Sequence, residues 1–302
     1  MSGFLQVEAG CQLGEHSFDV LFVSRRSRFR QGTRFSRRGI DEGGNVANFV
    51  ETEQARKQPQ GAVLHGDGSL TSHVQIRGSI PVFWSSPTNL QYHPPVKIHD
   101  DEEASLQALR LHAEDLVSRY GPLPGTRGRA GAEAREGAGK GGGVMFINLV
   151  DKKKDQGALG EAFDAALTAV REGSGRAEPT VEGEGKSGKA GGKEERAVEG
   201  NDRGETWGVK EGQDLSESLQ HVWFDFHHEC RNMHWENLDK LLATVDKEFG
   251  EQGFYHRGPA GDLLSMQQGV VRTNCMDCLD RTNVVQSLLA RRSMLASYYL
   301  LV

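Results

Sequence analysis

The chain has 302 residues, 36% of them apolar and 26% charged, with a formal net charge of -6. That length and balance suit a globular protein with a sizeable core, and the mild acidity excludes a nucleic-acid binder that works through overall basic charge. Mean hydropathy is -0.55, and no run of about 18 apolar residues occurs, so no membrane-spanning helix is expected. The four cysteines are Cys11, Cys230, Cys275 and Cys278. No leader with a basic start, an apolar run and a small-residue cleavage site opens the sequence, so reduced thiols are expected rather than a disulfide framework.

In chain order, residues 17–23 form an apolar, β-branched run expected to be a buried strand. From 24 to 38 there are seven arginines and no acid, a basic patch inside an acidic chain. Gly43-Gly44-Asn45 signals a turn. Short strands are expected at 74–76 and at 80–84, the second at an edge or bulge because Pro81 has no N–H. The spacing of Leu106, Leu109, Leu116 and Val117 predicts a helix over 102–120.

Residues 124–143 contain eight glycines and no aromatic side chain, the composition of a flexible loop. A buried strand is expected at 144–150 and a helix at 159–170. Residues 171–206 hold nine glycines, mixed charge and one aromatic-free run, which cannot bury enough apolar surface to offset ordering entropy; disorder is expected there. Further strands are expected at 222–226 and 267–272, and helices at 235–249 and 283–300. Strand alternating with helix predicts an α/β fold with a mixed sheet and flanking helices. Trp84, Trp235 and Cys230 are expected in the core, and His227 and His228 are expected to be structural.

The informative stretch is Thr273-Asn274-Cys275-Met276-Asp277-Cys278-Leu279-Asp280-Arg281-Thr282. Cysteine, five residues and arginine, set between a strand and a helix, is the spacing that wraps backbone N–H groups around one phosphate. The same surroundings lower a thiol's pKa and make it a nucleophile. On this reading Cys275 attacks phosphorus, Arg281 grips two equatorial oxygens with its planar fork, and Thr282 assists release of the thiolate. Asp277 or Asp280 protonates the leaving oxygen or activates water, although Asp280 could equally tether the loop. Two other readings stand beside this one: Cys275-x2-Cys278 as half a zinc site, with His227, His228 and Cys230 as further ligands, or as a redox pair.

The run from Arg272 through Asn274-Cys275, Asp277-Cys278-Leu279-Asp280-Arg281-Thr282 to Asn283 resembles the signature of the SAC-domain phosphoinositide phosphatases. Three more segments resemble that family: residues 24–53, residues 75–84, and Phe224-Asp-Phe-His-His-Glu-Cys230. Met276 and Val284-Val285-Gln286 resemble its branch acting on phosphatidylinositol 4-phosphate at the endoplasmic reticulum and Golgi.

The resemblance implies a reaction through a phosphocysteine, with no metal and no cofactor, and carries Cys275, Asp277 and Arg281 over as the catalytic set. Around the phosphate it implies Asn274, Met276, Cys278, Leu279, Asp280 and Thr282. Residues 1–302 are expected to be one catalytic region, lacking most of the family's amino-terminal domain and ending one helix beyond the loop. Arg34, Arg37 and Arg38 are expected to face a membrane phosphoinositide and the anionic surface around it, on the cytoplasmic face of endomembranes. The plainer reading of these arginines is solvated charge and pairs with Asp41, Glu42, Glu51 and Glu53. Two other functions fit the same residues, a cysteine-dependent protein phosphatase and a catalytically silent phosphoinositide-binding module. No nucleic-acid partner is expected.

Overall fold

A computed structural model describes residues 2–32, 37–57, 68–87, 95–121, 142–173 and 215–299. The glycine-rich stretch at 124–143 lies outside these residues except for 142 and 143, and the low-complexity stretch at 171–206 except for 171–173. Arg34 also lies outside them.

The chain opens with β1 (Ser2–Leu13), β2 (His16–Arg26), β3 (Val50–Lys57) and β4 (Leu70–Arg77). Two short strands follow, β5 (Trp84–Ser85) and β6 (Lys97–Ile98), then helix α1 (Glu102–Tyr120). Next come β7 (Val144–Asn148), α2 (Lys154–Arg171), β8 (Leu219–Trp223) and the single turn α3 (Phe226–Glu229). Helix α4 (Leu238–Gln252), β9 (Tyr255–Arg257), β10 (Leu263–Ser265), β11 (Val270–Asn274) and α5 (Asp280–Tyr299) complete the fold.

Among the described residues, nine strands form one mixed sheet, along which the order β1-β2-β3-β4-β11-β7-β8 runs. The first four pair antiparallel, whereas β4, β11, β7 and β8 are parallel neighbours. Helices cover both faces of the parallel half, as its uninterrupted burial requires. Val144 and Phe146 of β7 face α1 and α2, packing with Leu109, Leu116, Leu159 and Phe163. Met145 and Ile147, one residue out of phase, pack instead with Leu241 and Val245 of α4 and Val285 and Leu289 of α5. Each such side chain contributes on the order of 2 kcal/mol through burial.

Helix α1 has the bounds read from its periodicity. Asp101 caps it by accepting from Ala104 N at 3.1 Å, and Glu102 and Glu103 complement the positive end of the helix dipole.

Other segments depart from expectation. Residues 80–84 curl instead of extending: Val82 N donates to Ile80 O at 3.0 Å and Trp84 Nε1 to the same carbonyl at 3.1 Å, so only Trp84–Ser85 pairs as strand. Strand β8 stops at Trp223 because Asp225 caps the next turn, accepting from His228 N at 3.1 Å. Residues 267–269 are not strand, since the Gln267 side chain itself supplies the partners of Val74, accepting from its N at 2.8 Å and donating to its O at 2.7 Å. Trp84 is in the core, but Trp235 is 47% exposed, standing in a 3-10 turn ahead of α4.

The loop between β2 and β3 is fixed to the sheet from two sides. Asp41 Oδ1 accepts from the N–H groups of Gly43 (3.1 Å) and Asn45 (2.9 Å), forming the turn expected there. Gly39, at φ +64°, approaches so closely that an added Cβ would lie 2.6 Å from Val82 O, and its N–H donates to Ser79 Oγ at 2.9 Å. Arg272 of β11 is fully buried and donates to the carbonyls of Gly78 (3.2 Å) and Ser79 (2.6 Å), with its guanidinium 5.6 Å from the Phe146 ring centre. Desolvation draws its pKa down to about 10, so it remains a buried cation at neutral pH.

Candidate active site

The parallel strands β11, β7 and β8 end together, and the segments leaving their carboxyl ends enclose a cavity of roughly 620 Å³. In open α/β sheets this is where ligands bind. Residues 275–279 join β11 to α5 and supply Cys275, Met276 and Asp277 to the wall; Asp280 and Arg281 follow from the first turn of α5. The β7–α2 connection brings Asp151 and Lys153, and the first turn of α2 brings Lys154, Asp155 and Gln156. Asp225, His227, His228 and Arg231 come from the segment after β8.

Cys275 is 3% exposed. Its Sγ accepts from Cys278 N at 3.1 Å and from Thr282 Oγ1 at 3.2 Å. The neighbouring Cys278 side chain above all, with the Arg281 charge, the Thr282 hydroxyl and the Asp277 N–H, holds the Cys275 thiol well below its ordinary range, although burial alone would raise it. Cys278 moves the other way, because its hydrogen bond with Cys275, its burial and the charge on Cys275 all favour its neutral thiol. Of the two sulfurs, Cys275 is the one whose surroundings favour the charged form. Cys278 has φ +54°, a left-handed conformation that costs an L residue about 1–2 kcal/mol. Its amide reaches the Cys275 sulfur from that conformation, and its own Sγ donates to Cys275 O at 3.5 Å.

Arg281 borders the same cavity, with Nη1 placed 2.9 Å from Leu149 O, 3.0 Å from Gln156 Oε1 and 3.3 Å from Asp151 Oδ1. The guanidinium thus rests against the β7–α2 connection. Asp151 also meets His227, whose Nδ1 is 3.0 Å from its Oδ1. Asp225 ties the two connections together, accepting from Lys152 N at 3.0 Å.

The expected phosphate-surrounding residues divide. Met276, Asp277 and Asp280 line the cavity, whereas Asn274 is fully buried and donates through Nδ2 to Asn148 Oδ1 at 2.9 Å, joining the ends of β11 and β7. Thr282 and Cys278 are buried against Cys275, and Leu279 is half-buried outside the lining.

The basic patch divides as well. Arg38 is 5% exposed yet borders the cavity: its Nη1 donates to Met276 O, it pairs with Asp277, and it lies 5.6 Å over the Trp84 ring. Arg37 is exposed and outside the cavity lining. Arg25 pairs with Glu51 at 2.7 Å and Glu53 at 2.5 Å, as the plainer reading of the patch had it.

Two histidines expected to be structural are instead half to two-thirds open at the cavity, with His227 and His228 side chains 49% and 66% exposed. Lys153, Lys154, Asp151 and Arg231 were not foreseen. The available signal was the cluster Asp-Lys-Lys-Lys-Asp at 151–155 directly after a buried strand. Lys153 and Lys154 stand at the amino end of α2, where the helix dipole adds to their charge and favours an anion. Cys230 is a buried thiol raised in pKa by burial. Among the described residues, no three His, Cys, Asp or Glu side chains gather as a metal site, and no helix is long and apolar enough to cross a membrane.

A family model described as SacI homology domain matches residues 1–231. The phosphatidylinositol-3-phosphatase SAC1 of Drosophila melanogaster is 36% identical over 295 residues, covering 97% of this chain and 37% of that protein. SAC1-A of Danio rerio, of the same printed description, is 33% identical over 292 residues, covering 97% of this chain and 37% of its own. The SAC1 protein of Saccharomyces cerevisiae is 30% identical over 277 residues, or 89% of this chain and 33% of that protein. The chain therefore spans about a third of the length of these relatives. Matched by the family model over residues 1–231 and by relatives along nearly its whole length, the chain belongs to the SacI homology domain family.

Proposed function

We propose that the chain is a phosphoinositide phosphatase that removes a single ring phosphate through a phosphocysteine, with residues 1–302 acting as one catalytic region. The observation that carries this reading is the Cys275 sulfur, held as a thiolate by surrounding donors at a cavity bordered by Arg281, Lys153 and Lys154. In the first step the thiolate attacks phosphorus, an S–P bond forms, and the P–O bond to the inositol breaks. The leaving oxygen takes a proton from an acid in the cavity, for which Asp277 and Asp280 are both placed in the lining. In the second step water attacks phosphorus and gives a proton to the carboxylate left by the first step, the S–P bond breaks, inorganic phosphate leaves, and Thr282 steadies the returning thiolate. Arg281 exchanges its contacts at 149–156 for the phosphoryl oxygens, where its fork suits two of them at once. Neither step uses a metal or cofactor.

The substrate we infer is a phosphatidylinositol monophosphate in a membrane, met on the cytoplasmic face of the endoplasmic reticulum or Golgi. Met276 and residues 284–286 support the 4-phosphate, whereas the names of the relatives, phosphatidylinositol-3-phosphatases, support the 3-phosphate. The test is phosphate release from vesicles that each contain one phosphoinositide, with and without a chelator. The expected outcome is release from the 4-phosphate, insensitive to the chelator. A preference for the 3-phosphate would move the ring position and leave the chemistry standing. Tight binding without release from any lipid would overturn the enzyme in favour of a silent binding module.

A further inference from the structure

We infer that residues 231–236 form a membrane-entering tip, with Met233 and Trp235 seated in the interfacial layer of an anionic bilayer beside the phosphate cavity. All six residues of this tip are exposed. Met233 is 76% and Trp235 47% exposed, large apolar surface at the protruding end of a connection. Tryptophan favours the level of lipid headgroups, where its ring is apolar and its N–H stays hydrated.

The tip is projected by its backbone. Asn232 and Met233 take consecutive left-handed conformations, φ +55° and +63°, and the methionine side chain is left 76% exposed. Its base is anchored: Asn237 Nδ2 donates to Glu229 O at 2.7 Å, and the Trp235 ring packs tilted by 58° against buried Phe226, ring centres 6.2 Å apart. The indole is thus held in a set direction with its other side open.

Charge and position select a lipid surface over other occupants. Arg231, the first residue of the tip, lines the cavity, as do Lys153 and Lys154, and four of the five aspartates in the same lining are turned to partners within the protein: Asp151 to Arg281, Asp155 to Val96 N, Asp225 to Lys152 N and His228 N, and Asp277 to Arg38. Glu229, ahead of the tip, pairs with Lys240 at 2.9 Å, and Glu236, its last residue, meets His234 at 2.6 Å, while the exposed Asp239 follows three residues later. Apolar side chains bounded by basic ones match the layered chemistry of an anionic interface. The inference rests on the proposed lipid substrate only for the reason a membrane would approach this side, and binding is measured without turnover, so the two readings fail separately.

The test uses the full chain with vesicles of phosphatidylcholine and phosphatidylserine, lacking any phosphoinositide. Wild type is expected to sediment with them, and Met233→Ser and Trp235→Ser to bind at least tenfold more weakly, with unchanged melting temperature. Because Trp235 touches Phe226, Trp235→Phe supplies a second measurement: the emission lost in that variant should be the component quenched by brominated acyl chains. Equal sedimentation of wild type and Met233→Ser, or no quenching of the Trp235 component, would overturn the inference. So would self-association without lipid that disappears in Met233→Ser, which would assign the tip to a protein contact.

Discussion

Thr282 Oγ1 donates to Cys275 Sγ across 3.2 Å, from the first turn of α5 to the end of β11. The bond stabilises the charged sulfur and is lost in Thr282→Val, a near-isosteric change. The thiol's pKa then rises, and the acidic limb of kcat/KM moves to higher pH. A loss of roughly tenfold is expected on the acid side, from a bond worth about 1.4 kcal/mol, with a much smaller loss at alkaline pH. A uniform loss at every pH would show that Thr282 acts only through packing.

The two neighbouring cysteines are predicted to separate sharply. Cys275→Ser replaces the thiolate with a hydroxyl that this loop does not ionise, so turnover should fall below detection while lipid binding persists. Cys278→Ser keeps the backbone N–H that reaches Cys275 Sγ, and a loss within about tenfold is expected, set by the side-chain share of the thiolate's stabilisation. Phosphate release and vesicle binding of both variants, measured side by side, decide the point. Equal loss at the two positions would favour a paired role such as redox chemistry.

Arg281→Lys keeps the charge and loses the planar fork, and should lower turnover by at least a hundredfold. Gln156→Ala removes one resting partner of the guanidinium without touching the phosphate's donors, and should stay within a few-fold of wild type. If both variants lost activity alike, the resting contacts themselves would be part of the chemistry.

For Arg38 the structure adds a hold on the 275–281 loop to its place in the cavity lining. Its side chain holds the 275–281 loop through Met276 O and Asp277 and is buried. Arg38→Ala would leave buried partners unsatisfied, a loss of about 3 kcal/mol, and should reduce action on vesicles and on a short-chain soluble analogue to the same degree. Arg37→Ala, at an exposed position, should change melting temperature little. A loss confined to vesicles in Arg38→Ala would return that arginine to the membrane surface.

What could be read in advance follows from where each signal resides. Helix α1 carries its cap, its acidic first turn and its apolar stripe within one stretch, and β7 is a continuous buried run; both were legible. Strands β1 and β3 were not. Val-Glu-Thr-Glu-Gln-Ala-Arg-Lys reads as polar because the antiparallel half of the sheet is only partly covered, and its acids take partners such as Arg25 from the neighbouring strand. The loop from Cys275 to Arg281 compresses its chemistry into a short run and so announces itself. Asp151, Lys153, His227 and Arg231 reach it only because three parallel strands end side by side, a relation between distant segments. Arg38 and Arg37 are adjacent and chemically identical, yet one is buried against Asp277 and the other is exposed; burial is what the local sequence withheld.

His73 makes stability depend on pH. It is 3% exposed, its ring lies 5.2 Å from that of Phe249, and neither ring nitrogen has a hydrogen-bond partner among the described residues. Desolvation lowers its pKa to about 4, against about 6.5 when the chain is unfolded. Above pH 6.5 both states are neutral and the residue contributes no slope. Below it the unfolded chain binds a proton that the folded protein refuses, so stability falls as pH drops from 6.5 towards 4. The loss at pH 5 is about 2 kcal/mol, rising to roughly 3 kcal/mol at pH 4. His112, His221 and His256 shift in the same direction and steepen the trend. Urea denaturation at pH 7.5 and pH 5 should show the decline in wild type and a shallower one in His73→Leu, which fills the site without a titrating group. The same decline in both proteins would mean that His73 gains a partner or water on folding, and that the other histidines carry the dependence.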